Sequence, residues 1–135
     1  MTEPVLRRAA VPVWNTQYYI GGPVDLDTLD EAALTRLVPS AGSDHVLVRT
    51  LSGADEVDLT IELWEHEPPQ SGAWEQVETV VFTATGSAFV MTQTGATIDD
   101  FGDVAWQGPG EYSMRVQART AAGQEEHLIQ VWPKN

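Results

Sequence analysis

Apolar and polar residues alternate with a period of two along most of this 135-residue chain. The pattern is clearest over residues 56–65, where one set of alternate positions is Val57, Leu59, Ile61 and Leu63. The other set is Asp58, Thr60, Glu62 and Trp64. Successive side chains of a strand point to opposite faces of a sheet, so we predict a strand here with one apolar and one polar face.

The same alternation predicts several further strands. They cover residues 11–20, 45–51, 74–85, 88–94, 112–119 and 125–133. Gly86 and Ser87 lie between two of them and predict a hairpin turn. Residues 96–107 fit either a short strand or a loop at a strand edge. Seven or eight short strands with regularly spaced turn signals indicate an antiparallel sandwich or barrel.

Only residues 25–38 carry a helical pattern. Asp27 or Thr28 can cap such a helix, and Pro39 follows its end. The apolar residues of one face are Leu29, Ala33, Leu34 and Leu37. We therefore predict an all-β fold, an antiparallel β-sandwich of immunoglobulin-like or jelly-roll-like type with one short helix, as a single domain over residues 1–135.

The stretch GPGEYSMRVQAR, residues 108–119, leads from Gly-Pro-Gly into a strand that begins with a tyrosine. This arrangement is typical of the tyrosine corner of β-sandwiches, where the hydroxyl bonds to nearby backbone. A role for Tyr112 as a catalytic acid or base would require a basic or metal neighbour, and the sequence supplies none. We therefore predict a structural role for Tyr112.

The polar face of the same strand carries two of the few cations in the chain, Arg115 and Arg119. Asp58 and Glu62 have the same spacing on the polar face of their own strand. Opposite charges on paired strands stabilise a sheet. We therefore expect the two strands to pair, with these charges facing each other.

Charge limits the kinds of partner. Twenty acidic and seven basic residues give a net charge of −13, which would repel phosphate backbones and anionic membranes. We therefore predict no nucleic-acid and no membrane partner. The same charge favours solubility and docking onto a basic protein such as a nuclease.

With no apolar run approaching the roughly 18 residues that span a bilayer, and no pattern typical of a secretory signal, we expect a cytoplasmic protein.

Candidate catalytic and metal-binding residues do not form a recognisable motif. The chain has no cysteine, which excludes disulfides, zinc–thiolate sites and thiol nucleophiles. Its three histidines, His45, His66 and His127, lie on separate segments. Asp99, Asp100 and Asp103 could suit calcium, but the EF-hand spacing is absent and an acidic turn explains them. We predict no metal, no cofactor, no catalytic residue and no enzymatic activity.

Tryptophans are numerous for a chain of this length, with five in all. Trp64 falls on the polar face of its strand and Trp74 follows a proline-rich turn. An exposed tryptophan at such a position is suited to anchor a protein partner or a sugar ring. We therefore predict a partner-binding patch formed by Asp58, Glu62, Trp64, Glu65, Glu67 and Trp74.

Two resemblances bear on function. The segments GPGEYSMRVQAR and EEHLIQVWP resemble the C-terminal part of small acidic proteins of high-GC Gram-positive bacteria, and LWEHEPP…WEQVETVVF extends the resemblance toward the middle. The order of features resembles the competence nuclease inhibitor (ComJ-type) family: an early QYYI strand, an acidic helix, charged strands, a VVF strand and a late Gly-x-Tyr strand. That resemblance implies a small, acidic, cytoplasmic partner of a DNA-degrading enzyme, with no catalytic residues. Toxin-neutralising immunity proteins share this profile.

The sequence therefore favours a non-enzymatic protein-binding module that acts as an inhibitor or immunity protein for a basic nuclease or toxin. Two other classes stay open. A planar row of exposed tryptophans would favour a carbohydrate- or small-ligand-binding module. Concentration-dependent homo-oligomers would favour a structural or assembly subunit that associates through edge strands.

Overall fold

The computed structural model describes residues 4–13, 17–22, 29, 32, 35–51, 53, 55–70 and 72–134. Ten strands are described. They are β1 (Val5–Pro12), β2 (Gln17–Gly21), β3 (Ser40–Gly42), β4 (His45–Arg49), β5 (Glu56–Leu63), β6 (Gln76–Ala84), β7 (Val90–Thr92), β8 (Thr97–Ile98), β9 (Gly110–Ala121) and β10 (Gln124–Pro133). A 3-10 turn, Asp99–Phe101, follows β8.

The strands form two five-stranded sheets that share one apolar core. The long-strand sheet has the order β1-β5-β10-β9-β6, and the short-strand sheet has the order β3-β4-β2-β7-β8. Nearly all neighbouring strands are antiparallel, but β5 and β10 pair in parallel. The predicted all-β sandwich is therefore confirmed, with this parallel pair at the centre of the long-strand sheet as an addition.

Alternation on β5 is confirmed. Its apolar positions Val57, Leu59, Ile61 and Leu63 are buried against the short-strand sheet, and its polar positions lie on the outer face. The inner faces of β9 and β10 complete this side of the core with Met114, Val116, Ile129 and Val131. Burying a large aliphatic side chain stabilises a fold by about 1.5–3 kcal/mol, so these rows are the main source of stability.

The single strand predicted over residues 11–20 is wrong. The structure has β1 in the long-strand sheet and β2 in the short-strand sheet, with residues 14–16 between them outside the described residues. Both sheets bury their inner face in the same core. Val11 and Val13, before the chain changes sheet, and Tyr18, after it, are therefore all buried. The apolar residues on both sides of this change therefore look like parts of one buried strand in the sequence.

The hairpin predicted at Gly86 and Ser87 is also wrong, because β6 and β7 lie in different sheets. After β6 the chain is held by the turn between β3 and β4. The Asp44 carboxylate accepts a hydrogen bond from the Thr85 amide at 2.7 Å and another from the Thr85 hydroxyl. These hydrogen bonds hold the pKa of Asp44 below its ordinary value. They direct the chain toward the short-strand sheet.

The tyrosine corner is confirmed. The Tyr112 hydroxyl donates to the Gly108 carbonyl at 2.6 Å and accepts from the Gln107 amide at 3.1 Å. The ring stacks on Phe82, with 5.5 Å between centroids, and burial raises the pKa of the phenol. Tyr112 therefore fixes the loop that leads into β9.

Most of the helix predicted over residues 25–38 lies outside the described residues. Residues 35–38 are described, and Leu37 and Val38 are buried there. Their amides donate to the two carboxylate oxygens of Glu78 at 2.8 and 2.9 Å. This segment is therefore tied to β6, an edge strand of the long-strand sheet.

Candidate functional site

All six residues of the predicted patch lie on or beside the outer face of the long-strand sheet. β5 and β6 are separated in that sheet by β10 and β9, so the chain between them has to cross the outer face. We call this connection, described for residues 64–70 and 72–75, the crossing segment. It is held by side chains of β9, so it divides the outer face into a covered part over β9 and an open half over β1, β5 and the beginning of β10.

Arg115 holds the first part of the crossing segment. It is only 7% exposed, and its Nη1 donates to the Pro68 carbonyl at 3.1 Å and to Gln130 Oε1 at 2.9 Å. Its Nη2 lies 3.2 Å from the Glu67 carboxylate. The guanidinium also lies over the buried Trp132 ring, 5.3 Å from its centroid. A buried cation needs such partners to offset its lost hydration.

Arg119 holds the second part. Its Nη1 donates to the Ala73 carbonyl at 3.4 Å, and its guanidinium lies 4.3 Å from the centroid of the Trp74 ring. Its Nε donates to Glu126 on β10 at 2.9 Å. Trp74 is half-buried as a result, with one face of the indole against the cation.

The expected pairing of Arg115 and Arg119 with Asp58 and Glu62 is therefore wrong. The strands β9 and β5 do share a sheet, but β10 lies between them. Glu126 on β10 is the direct neighbour of both Asp58 and Arg119. The arginines consequently bind the crossing segment and β10.

Asp58 pairs with a cation on the other side, from the edge strand β1. Arg8 Nε donates to Asp58 Oδ1 at 2.9 Å and Nη2 donates to Oδ2 at 2.5 Å. This bidentate pair holds the pKa of Asp58 below its ordinary value. Asp58, Glu126 and Arg119 therefore occupy one row across the sheet, and Arg8, which lies opposite Thr60, reaches Asp58 diagonally. Two adjacent carboxylates are thus each neutralised by an arginine.

Glu62 has a different environment, because its partners are neutral. Its Oε1 accepts from the Trp64 indole Nε1 at 2.9 Å and from Gln130 Nε2 at 3.0 Å. Trp64 is half-buried by this contact. Glu65 and Glu67, which follow on the crossing segment, are exposed.

A shallow depression of about 260 Å³ lies on the open half of the face. Its lining includes three predicted residues: Asp58, Glu62 and Trp74. It also includes Arg8, Thr60, Arg119, Glu126, His127 and Leu128. The alternation of β10 already places Glu126 and Leu128 on one face, but only the strand order shows that this face adjoins β5.

The other candidates from the sequence do not converge. Among the described residues, no three or more His, Asp or Glu side chains are grouped as metal ligands. His127 lies in the core, whereas His66 is exposed on the crossing segment. Asp103 has a structural role, since its Oδ1 accepts from the amides of Ala88 and Ala105, both at 2.9 Å.

The described tryptophans do not form a planar exposed row. Trp132 is buried under Arg115, and Trp106 packs on Tyr112 with 5.7 Å between ring centroids. Trp64 and Trp74 are half-buried. Trp14 lies outside the described residues. Among the described residues, the aromatic surface on this face is therefore the exposed parts of Trp64 and Trp74.

Fold and site together define an all-β sandwich with a charged outer face crossed by one long connection. Neither a scan against protein-family profiles nor a search of curated proteins gives a match. The structure is similar to the crystal structure of ComJ from Bacillus subtilis, an inhibitor of the DNA degrading activity of NucA. The TM-score is 0.73 and the sequence identity is 10%, and the match covers 98% of this chain and 100% of that chain. The protein of crocagin biosynthetic gene J is similar with a TM-score of 0.59 and 12% identity over 99% and 100% of the two chains.

At these identities the likeness defines the fold. The ComJ-type resemblance that the order of sequence features suggests therefore holds at the level of the fold. The resemblance of the C-terminal motifs to acidic proteins of high-GC Gram-positive bacteria stays a prediction. Within the described part of the chain, no helix has the length and apolar character needed to cross a bilayer.

Proposed function

We propose that the protein is a cytoplasmic, non-enzymatic inhibitor or immunity protein that binds a basic nuclease or toxin through the outer face of its long-strand sheet. The observation that carries the proposal is the full-length similarity in fold to ComJ, a nuclease inhibitor. The net charge of −13 adds independent support, because a strongly acidic protein is suited to a basic partner.

The proposed mechanism assigns separate roles to the predicted patch. Glu65 and Glu67 are exposed and would attract a cationic surface over a distance, which raises the rate of association. Trp64 and Trp74 are already partly ordered by neighbours, so burying the rest of each ring would cost little side-chain entropy. Asp58 and Glu62 would form the adjoining polar surface.

The first test is an affinity capture from a lysate of the native host at low and at high salt. The captured protein is then assayed for nuclease activity with and without the purified chain. We expect one basic enzyme that is released at high salt and whose activity falls when the chain is added, because screening weakens interactions between exposed charges. A captured enzyme with unchanged activity, or capture that does not respond to salt, would contradict the proposal.

Self-association is the second candidate, favoured by the edge strand β1. Val5 and Leu6 on this strand are 44% and 58% exposed, the two largest exposures among the large apolar side chains of the described residues. An edge strand with exposed apolar residues can pair with another chain. Sedimentation velocity over a wide concentration range tests this, and a single monomer boundary throughout would exclude it.

A further inference from the structure

The open half of the outer face contains one carboxylate that the described part of the chain does not neutralise. Three carboxylates line the depression: Asp58, Glu62 and Glu126. Asp58 forms an ion pair with Arg8 and Glu126 with Arg119. No cation among the described residues forms an ion pair with Glu62, whose hydrogen bonds come from the neutral donors of Trp64 and Gln130.

These two donors also orient Glu62. Both bind the same oxygen, Oε1, at 2.9 and 3.0 Å. A carboxylate oxygen has two lone pairs, so Oε1 has no remaining capacity. Within the described residues, Oε2 has no hydrogen-bond partner and keeps both of its lone pairs. The result is an oriented carboxylate whose Oε2 has no partner among the described residues.

Side chains that offer aliphatic carbon lie beside this acceptor. Leu6 lies directly opposite Glu62 in the register between β1 and β5, and its side chain is 58% exposed on the same face. The next row toward the centre of the depression contains Arg8, whose guanidinium binds Asp58, and then Thr60 and Leu128, which are neighbours between β5 and β10. Both are half-buried and uncharged. A ligand that reaches Oε2 therefore also contacts aliphatic carbon.

We propose that the Glu62 end of this depression, together with Leu6 beside it, receives a lysine side chain of the basic partner, with the ammonium on Glu62 Oε2 and the methylene stem over Leu6, Thr60 and Leu128. Lysine combines a point charge with an aliphatic stem, which matches one free oxygen beside apolar groups. A guanidinium that binds two carboxylate oxygens is a poorer match, because Oε1 is already occupied. This inference deepens the proposed function and rests on it for the identity of the partner.

The test uses short peptides, so it does not require the partner. Gly-Lys-Gly, Gly-Arg-Gly and Gly-Gln-Gly are titrated into isotopically labelled protein, and the Leu6 and Leu128 methyl signals and the Trp64 indole N–H signal are followed by NMR. We expect Gly-Lys-Gly to shift these three groups of signals, with weaker effects from Gly-Arg-Gly and none from Gly-Gln-Gly. Equal effects of the lysine and arginine peptides, or no shift at these signals, would overturn the proposal.

Glu62→Gln is the decisive variant, because the amide oxygen can still accept from Trp64 and Gln130 while the charge is lost. Asp100→Asn is the matched control, since Asp100 is exposed, far from β5 in sequence, and in no ion pair among the described residues. We expect Glu62→Gln to weaken binding of Gly-Lys-Gly about twofold to fivefold and Asp100→Asn to leave it unchanged. Equal affinities in the two variants would refute the site.

Leu6→Ser tests the apolar part of the site without a change in charge, and Leu6 is exposed enough for the fold to tolerate it. We expect weaker lysine binding here as well, and unchanged binding would contradict the stem contact.

Failure of the lysine site and failure of the proposed function can be distinguished. If the chain inhibits a basic nuclease but does not bind lysine, only the lysine site is refuted. If it binds lysine but inhibits no enzyme, the proposed function is refuted.

Discussion

The Tyr18 hydroxyl on β2 lies 2.7 Å from His127 Nδ1 on β10, so a hydrogen bond joins the two sheets inside the core. His127 Nε2 lies 2.6 Å from the Glu125 carboxylate, which also accepts from the Leu51 amide at 2.7 Å. An imidazole with its proton on Nε2 satisfies both contacts. Burial, with the nearby Glu125 charge, raises the pKa of Tyr18 well above its ordinary value, so the phenol stays a donor.

Tyr18→Phe removes this connection and leaves His127 Nδ1 without a partner in the core. An unsatisfied buried polar atom costs about 1–3 kcal/mol, so we expect the free energy of unfolding to fall by that amount. Urea denaturation measures it. Thr97→Ala, at an exposed position of β8, is the control and is expected to change stability by less than about 0.5 kcal/mol. A Tyr18→Phe variant as stable as this control would contradict the role of the hydrogen bond.

Tyr112→Phe removes the tyrosine corner while the stacking on Phe82 can persist. The Gly108 carbonyl and the Gln107 amide each lose their hydrogen bond to the hydroxyl. We expect a loss of about 1–3 kcal/mol. We also expect faster amide hydrogen exchange at Gln107. If Gln107 exchanges at the wild-type rate, another group holds this loop.

The ion pair between Arg8 and Asp58 gives a pH dependence of known sign. The hydrogen bond from Arg8 lowers the pKa of Asp58 from its ordinary value of 3.8, so the folded state favours the carboxylate. The resulting stabilisation is present above that ordinary value and is lost as the pH falls through the lower folded value. Asp58→Asn should therefore lower the urea midpoint relative to the wild type at about pH 7, and the difference should shrink at about pH 2. A difference that grows on acidification would show the opposite sign.

Two tryptophans on the outer face should respond differently to removal. Trp132 is 6% exposed beneath Arg115, so Trp132→Ala should cost about 3–5 kcal/mol through lost packing. Trp64 is half-buried and rests on Glu62, so Trp64→Ala should cost about 1 kcal/mol and leave the protein folded. Thermal unfolding followed by circular dichroism compares the two. If Trp64→Ala unfolds the protein, Trp64 belongs to the core and is not available to a partner.

Arg119→Gln should loosen the second part of the crossing segment without unfolding the sheet. The variant loses the contact with the Trp74 ring and weakens the bond to the Ala73 carbonyl, whereas Arg115 still holds Pro68. We expect faster hydrogen exchange at residues 72–74 and unchanged protection in β9 and β10, since local opening needs less energy than global unfolding. Faster exchange throughout β9 would instead show that Arg119 stabilises the whole sheet.

Local features of the sequence determined the parts of the fold that depend on nearby residues. The alternation of Val57 to Leu63 identified the buried face of β5, because strand geometry fixes which face each residue occupies. Tyr112 was assigned correctly because its partner, Gly108, is only four residues away. The outward position of Trp64 followed from the same alternation.

Only the tertiary structure decided which strands are neighbours and therefore which charges meet. The two sheets bury their inner faces in one core, so the apolar residues at the end of β1 and in β2 do not reveal that the chain changes sheet between them. Insertion of β10 beside β5 gives Asp58 the neighbour Glu126 and gives Glu62 the neighbour Gln130, 68 residues away. Alternation fixes the face of each side chain, whereas its partner depends on strand order, which is set by packing of segments far apart in the chain.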